Sequence, residues 1–185
     1  GTGYGNEQTF TTLALTPTLT ATALTAFGNV CVNTTAGPNS FTINGSALNT
    51  TNITVGPLTG FTFSTTSGGT YTASLSLVQP GGTYTQTIFV RFTPTLVQSY
   101  NGNIPVSGGG APITINVVAS GSGVNTVATV VTGTATLLNP NSVTLNGSVS
   151  SIGCSPVITY GIEYSGISGL ANGLGTKVNA TNLNS

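Results

Sequence analysis

YTASLSLVQPGGTYTQTIFVRF, residues Tyr71 to Phe92, alternates, turns on Pro80-Gly81-Gly82 and alternates again. Tyr71, Ala73, Leu75 and Leu77 share one face, with Thr72, Ser74 and Ser76 on the other. Ile88, Val90 and Phe92 repeat the pattern. Strict alternation predicts half-buried strands, and Pro-Gly-Gly predicts the turn between them. The pattern continues outward at Ile113, Ile115 and Val117, at Val143, Leu145 and Val149, and at Ile158, Tyr160, Ile162 and Tyr164. Gly68-Gly69, Asn101-Gly102, Gly108-Gly109-Gly110 and Asn139-Pro140-Asn141 punctuate these runs. Thr is abundant, and β-branched side chains lose freedom in a helix but fit a pleated surface. Many short strands with turns at this spacing predict an all-β chain built from β-sandwiches.

Composition narrows the function classes. Of 185 residues, 38% are hydrophobic, enough to bury a core, yet only 2% are charged. Globular domains carry roughly a quarter charged residues. The ionisable side chains at neutral pH are Glu7, Arg91, Glu163 and Lys177, with no Asp and no His. Solubility rests on Thr, Asn, Ser and Gly, and zero net charge removes the self-repulsion that opposes association. Two basic residues cannot neutralise a phosphate backbone, so no nucleic-acid partner is expected. No polybasic patch faces an anionic membrane, and no apolar run approaches the ~20 residues of a membrane helix. Without His or Asp, neither a Ser-His-Asp triad nor a His-based proton relay can be assembled, so no enzyme is expected. Glu7 and Glu163 would pair as glycosidase carboxylates only by meeting across domains. Metal sites need clustered carboxylates or imidazoles, so neither a metal nor a cofactor is expected.

Segmentation follows the punctuation. Ser120-Gly121-Ser122-Gly123 reads as a flexible linker after a strong strand. Residues 13–122 then suit one sandwich, while residues 123–185 suffice for half of one. Gly1–Thr12, GTGYGNEQTFTT, reads as the terminal strand of a preceding or neighbouring module, with Tyr4, Phe10 and Leu13 as its apolar anchors. A half sandwich exposes an edge and an inner face, which invites completion by a strand of another segment or another copy. Cys31 and Cys154 fall in different segments, and no Cys-x-x-Cys pattern occurs. A bridge between them, bridges to neighbouring copies, and two small buried thiols all stay open. Glu163 and Lys177 are the charges of the second segment; they read as a cross-strand ion pair or, more sharply, as parts of a Lys–Asn amide crosslink with Asn146 as partner. Tyr71, Tyr84, Tyr100, Tyr160 and Tyr164 are candidates for stacking on sugar rings, although several sit on apolar faces. Asn-x-Ser/Thr triplets at Asn33, Asn44, Asn49, Asn52, Asn146 and Asn179 are expected by chance in such a composition.

One ordered series of motifs carries a resemblance. Phe27-Gly28-Asn29-Val30-Cys31-Val32, Phe41-Thr42-Ile43-Asn44-Gly45, Val90-Arg91-Phe92-Thr93-Pro94, Ser99-Tyr100-Asn101-Gly102-Asn103-Ile104 and Ala119-Ser120-Gly121-Ser122-Gly123 resemble the Ig-like repeats of large secreted surface proteins of Bacteroidota, of the kind exported by the type IX system. Leu145-Asn146-Gly147-Ser148-Val149, Gly153-Cys154 and Tyr160-Gly161-Ile162-Glu163-Tyr164-Ser165 resemble the fibronectin type III-like modules that alternate with them. Gly3-Tyr4-Gly5 and Phe10 match the approach to the last strand of such a module. The resemblance implies tandem Ig-like and fibronectin type III-like sandwiches, the second incomplete within this chain, in a secreted, cell-surface architecture. The expected function is a structural repeat unit of an extracellular filament or giant adhesin. Its partners would be copies of itself or adjacent repeats of the same polypeptide, joined by covalent continuation or strand complementation. The alternative is a glycan- or partner-binding module of a secreted multidomain protein.

Overall fold

The computed structural model describes Gly5, residues 13–139 and residues 142–180. The described residues hold strands and no helix. Ten strands precede residue 125: β1 (Thr18–Ala21), β2 (Asn29–Cys31), β3 (Ala36–Leu48), β4 (Ile53–Val55), β5 (Phe61–Ser64), β6 (Leu75–Leu77), β7 (Gly82–Phe92), β8 (Gly102–Gly108), β9 (Ile115–Ala119) and β10 (Ser122–Val124). Two four-stranded antiparallel sheets, ordered β1-β3-β7-β5 and β6-β4-β8-β9, enclose one core, and a parallel pair of β2 with β10 closes one end.

Alternation decides which residues enter that core. Phe41 and Ile43 of β3, Ile88, Val90 and Phe92 of β7, and Phe61 and Phe63 of β5 point inward from the first sheet. Ile53 and Val55, Ile104 and Val106, then Val117 and Ala119 answer from the second. Their neighbours Thr42, Thr54, Thr87 and Ser107 face outward and bond across strands by hydroxyls, as Thr42 does with Thr87 at 3.3 Å. Phe27, Phe61, Phe92 and Tyr100 pack as an aromatic cluster, with Phe61 stacked on Phe92 at 4.8 Å between centroids. Such ring pairs add ~0.5–1.5 kcal/mol each beyond area burial. Pro38 is accommodated where the β3–β7 register shifts between Ala36 and Asn39, the kind of place a sheet tolerates proline. Gln79 is buried but satisfied: its amide donates to the carbonyls of Asn49 and Thr51, and its oxygen accepts from Gly81 N.

The sequence expectations need three corrections. Ser120–Gly123 is not a free linker. Ser122–Val124 forms β10, Phe27 N donates to Ser120 O, Tyr100 N to Gly121 O and Gly123 N to Gln98 O. Gly123 is buried against Leu96 and Pro94, where a Cβ would collide with the Leu96 carbonyl. Tyr71 and Ala73 lie in the turn before β6, because the chain at Thr72 makes only an isolated bridge to Phe63. Ile113 is exposed in the turn before β9.

Beyond residue 125 the architecture changes. β11 (Thr129–Thr132), β12 (Thr136–Asn139), β13 (Ser142–Thr144), β14 (Gly147–Ser151), β15 (Gly161–Tyr164) and β16 (Thr176–Asn179) form three separate two-stranded sheets: β11-β14, β12-β13 and β15-β16. No residue from 125 to 180 is buried among those described. Alternation is present in sequence here, yet among the described residues no second layer faces it.

Candidate functional site

The chemically distinctive part of the molecule is the open second unit and the point where it joins the sandwich. Two-stranded hairpins are marginal in water, and many of the described apolar side chains of this unit lie open to solvent. Val127, Val130, Ile158 and Leu174 are each more than two-thirds exposed, and Val131 and Val178 more than half. Among the described residues, none of the three pairs has a further strand along its outer edges. An extended segment laid against such an edge gains main-chain hydrogen bonds and buries the apolar row at once.

The sandwich has comparable edges. β1 and β5 end one sheet, β6 and β9 the other, and none of the four carries a charged residue. Charged side chains are the common means of blunting an edge strand. A shallow open groove of about 600 Å³ runs between β1 and β9, lined by Leu19, Leu24, Ile115 and Val117 among others.

Cys31 and Cys154 are joined in a disulfide, with Cα atoms 5.4 Å apart. Cys31 ends β2 inside the sandwich, and Cys154 sits on the loop after β14. That loop is docked as well as bonded. Cys154 N donates to Thr126 O at 2.8 Å, and Gly153 packs directly on the backbone of Thr126 and Val127. Gly153 takes φ 66°, where a side chain is disfavoured, and a Cβ there would strike the Thr126 carbonyl. The chain leaving β10 is thus gripped between β2, which its backbone pairs, and the Gly153–Cys154 loop. The sequence left this pairing among several, because the partners lie 123 residues apart and only the fold brings them together.

Glu163 and Lys177 are direct cross-strand partners in the β15–β16 register. The carboxylate is nevertheless engaged elsewhere. It accepts hydrogen bonds from Gly173 N at 2.9 Å and from Gly175 N, bracing the loop between the strands. These two amides, Gly173 first and helped by Lys177, hold the carboxyl below its ordinary value. The Asn146 amide donates to Thr134 O in the neighbouring hairpin region, not toward the lysine. Arg91 lies 4.1 Å over the Tyr71 ring, a cation–π contact on the sandwich surface.

The remaining candidates scatter. Tyr4 and Phe10 lie outside the described residues, and Leu13 is 96% exposed. Tyr100 is buried, and its hydroxyl accepts from Thr95 N and Leu96 N, so it is not a sugar platform. Tyr71 is covered by Arg91, Tyr84 is half-buried in β7, and Tyr160 and Tyr164 belong to the open unit. Among the described residues no group of three or more His, Cys, Asp or Glu side chains comes together. Asn44 accepts from Thr85, Asn49 accepts from Thr51 and Asn52 donates to Ser76, so with Asn146 four of the six Asn-x-Ser/Thr side chains are engaged in hydrogen bonds. No protein-family model matches the chain, and no curated protein is significantly similar to it.

Proposed function

We propose that this chain is a structural repeat unit of an extracellular filament or giant cell-surface adhesin. In it the unit formed by residues 125–180 is completed by a strand, from the continuing polypeptide or from a neighbouring copy. That the described residues of the second unit enclose no core is the observation that supports this reading most. Hairpins with apolar rows open to water need a covering layer to be stable, and an array supplies one at every junction. Uncharged sheet edges and zero net charge favour self-pairing over repulsion. A disulfide spanning both units suits an oxidising, extracellular compartment.

The finer architecture belongs to the same proposal. In an Ig-like assignment, β1-β3-β7-β5 take the positions of strands A, B, E and D, and β4-β8-β9 those of C, F and G. The Tyr100 hydroxyl bonding back to Thr95 and Leu96 occupies the place of the tyrosine corner found ahead of strand F. One departure stands out: β6 lies beyond β4, where a C′ strand belongs, but follows β5 in the chain instead of preceding it. The second unit takes the fibronectin type III-like role, and the whole resembles the alternating modules of secreted Bacteroidota surface proteins. No catalytic role is assigned.

Electron microscopy of native material tests the proposal. Long filaments with a repeat of one or two sandwiches are expected, whereas dispersed particles would favour the glycan- or partner-binding alternative. Denaturing electrophoresis after boiling then separates the two modes of joining, since only donated strands release a small subunit.

A further inference from the structure

We infer that the Cys31–Cys154 disulfide is a force shunt, which carries tension past the sandwich core. This rests on the filament reading for its purpose, though not for its physics. In a loaded array, tension enters upstream of Leu13 and leaves downstream of Ala180. A covalent bond between Cys31 and Cys154 offers that tension a short path: residues 13–31, the bridge, then residues 154–180. Everything between the cysteines lies in a closed covalent loop, outside the covalent line of tension. The loop contains β3 to β14, hence nearly all the buried core, including Phe41, Ile43, Phe63, Ile88, Val90 and Phe92.

The geometry fits the role. The two attachment points are 5.4 Å apart between Cα atoms, so the loaded line crosses one corner of the sandwich and the core hangs beside it. The parallel β2–β10 pair and the docked Gly153–Cys154 loop hold that corner, with Val32 N bonded to Val124 O and Cys154 N to Thr126 O. The elements left in the load path are small: β1, which borders β3 over Thr18–Ala21, β2, and the β15–β16 hairpin braced by Glu163. With the bridge intact, the releasable contour is limited to the two flanks, on the order of 160 Å at ~3.5 Å per extended residue. Opening it adds the sheltered loop. Its separation of 123 residues corresponds to ~430 Å at the same rise. The device therefore sets how far a unit yields before its core is touched, and makes that limit depend on a disulfide reductant.

Single-molecule stretching of the full chain between terminal handles tests this, first oxidised and then in tris(2-carboxyethyl)phosphine. Intact mass after alkylation monitors the thiols. The shunt predicts no alkylation before reduction, two alkylated thiols after it, and a further extension of ~430 Å that appears only in the reduced chain. Alkylation of native, unreduced protein would overturn it, as would a ~430 Å step in the oxidised chain or the lack of one in the reduced chain. Because these readouts use one molecule, a failure here leaves the filament images untouched, and absent filaments leave these readouts untouched.

Discussion

Replacing Tyr100 by Phe removes a single oxygen at the margin of the sandwich's aromatic cluster. The ring stays at 5.4 Å from Phe92 between centroids, so packing is retained. What is lost is an acceptor for Thr95 N at 3.0 Å and Leu96 N at 2.9 Å. Each such bond contributes ~0.5–1.5 kcal/mol net. Both bonds are only part-buried, at exposed residues, so the full orphan-donor penalty is not added. The expected loss is therefore ~1–3 kcal/mol for the Y100F variant. Urea unfolding of the oxidised chain, followed by far-ultraviolet circular dichroism, measures it. With a slope of ~2 kcal/mol/M, the midpoint falls by roughly 0.5–1.5 M at unchanged slope. Tyr100→Ala also empties the ring's place beside Phe92 and costs ~3–5 kcal/mol. An unchanged midpoint in Y100F, or equal losses in the two variants, would refute the assignment of the hydroxyl as the anchor of the Thr95–Leu96 turn.

Gln79→Leu leaves the carbonyls of Asn49 and Thr51 and the amide of Gly81 without their buried partner; a loss of about 2 kcal/mol or more in the same unfolding assay is expected. The Glu163 carboxyl is held below its ordinary 4.5 in the folded chain, so its bracing of the loop is present above that value and is lost as pH falls through the depressed one. Amide exchange at Gly173 and Gly175, corrected for its intrinsic pH dependence, should lose protection there, and Glu163→Gln should show the loss already at neutral pH. Val130→Lys places a charge on the open face, where Val130 is 71% exposed and outside the sandwich core. Filaments should disappear from micrographs of this variant while the sandwich's thermal midpoint stays put.

The local pattern of the sequence carried the sandwich well and its junction poorly. Leu75 and Leu77, Ile88 to Phe92, and Ile115 and Val117 alternate within single strands, so their inward faces were readable residue by residue. Tyr71 and Ile113 continue the same alternation in print but fall in turns, since where pairing stops is decided by the partner strand and not by the run itself. Ser120–Gly123 has the composition of a linker and becomes part of a parallel pairing with Asn29–Cys31, because small residues let two backbones and Leu96 approach closely. The disulfide is equally non-local. Val143, Val149 and Ile158 show the reverse case: their alternation is as regular as that of the sandwich, but burial requires a second layer, which the described residues do not provide.

Hydrogen exchange on native material, compared before and after dispersal into single chains, tests the central claim most directly. Completion by an added strand predicts that amides of residues 129–132, 147–151, 161–164 and 176–179 are strongly protected in the assembled state and exchange fast after dispersal, while β3 and β7 stay protected in both. Equal protection of the hairpin segments in the two states would contradict it, since those segments would then need nothing beyond themselves.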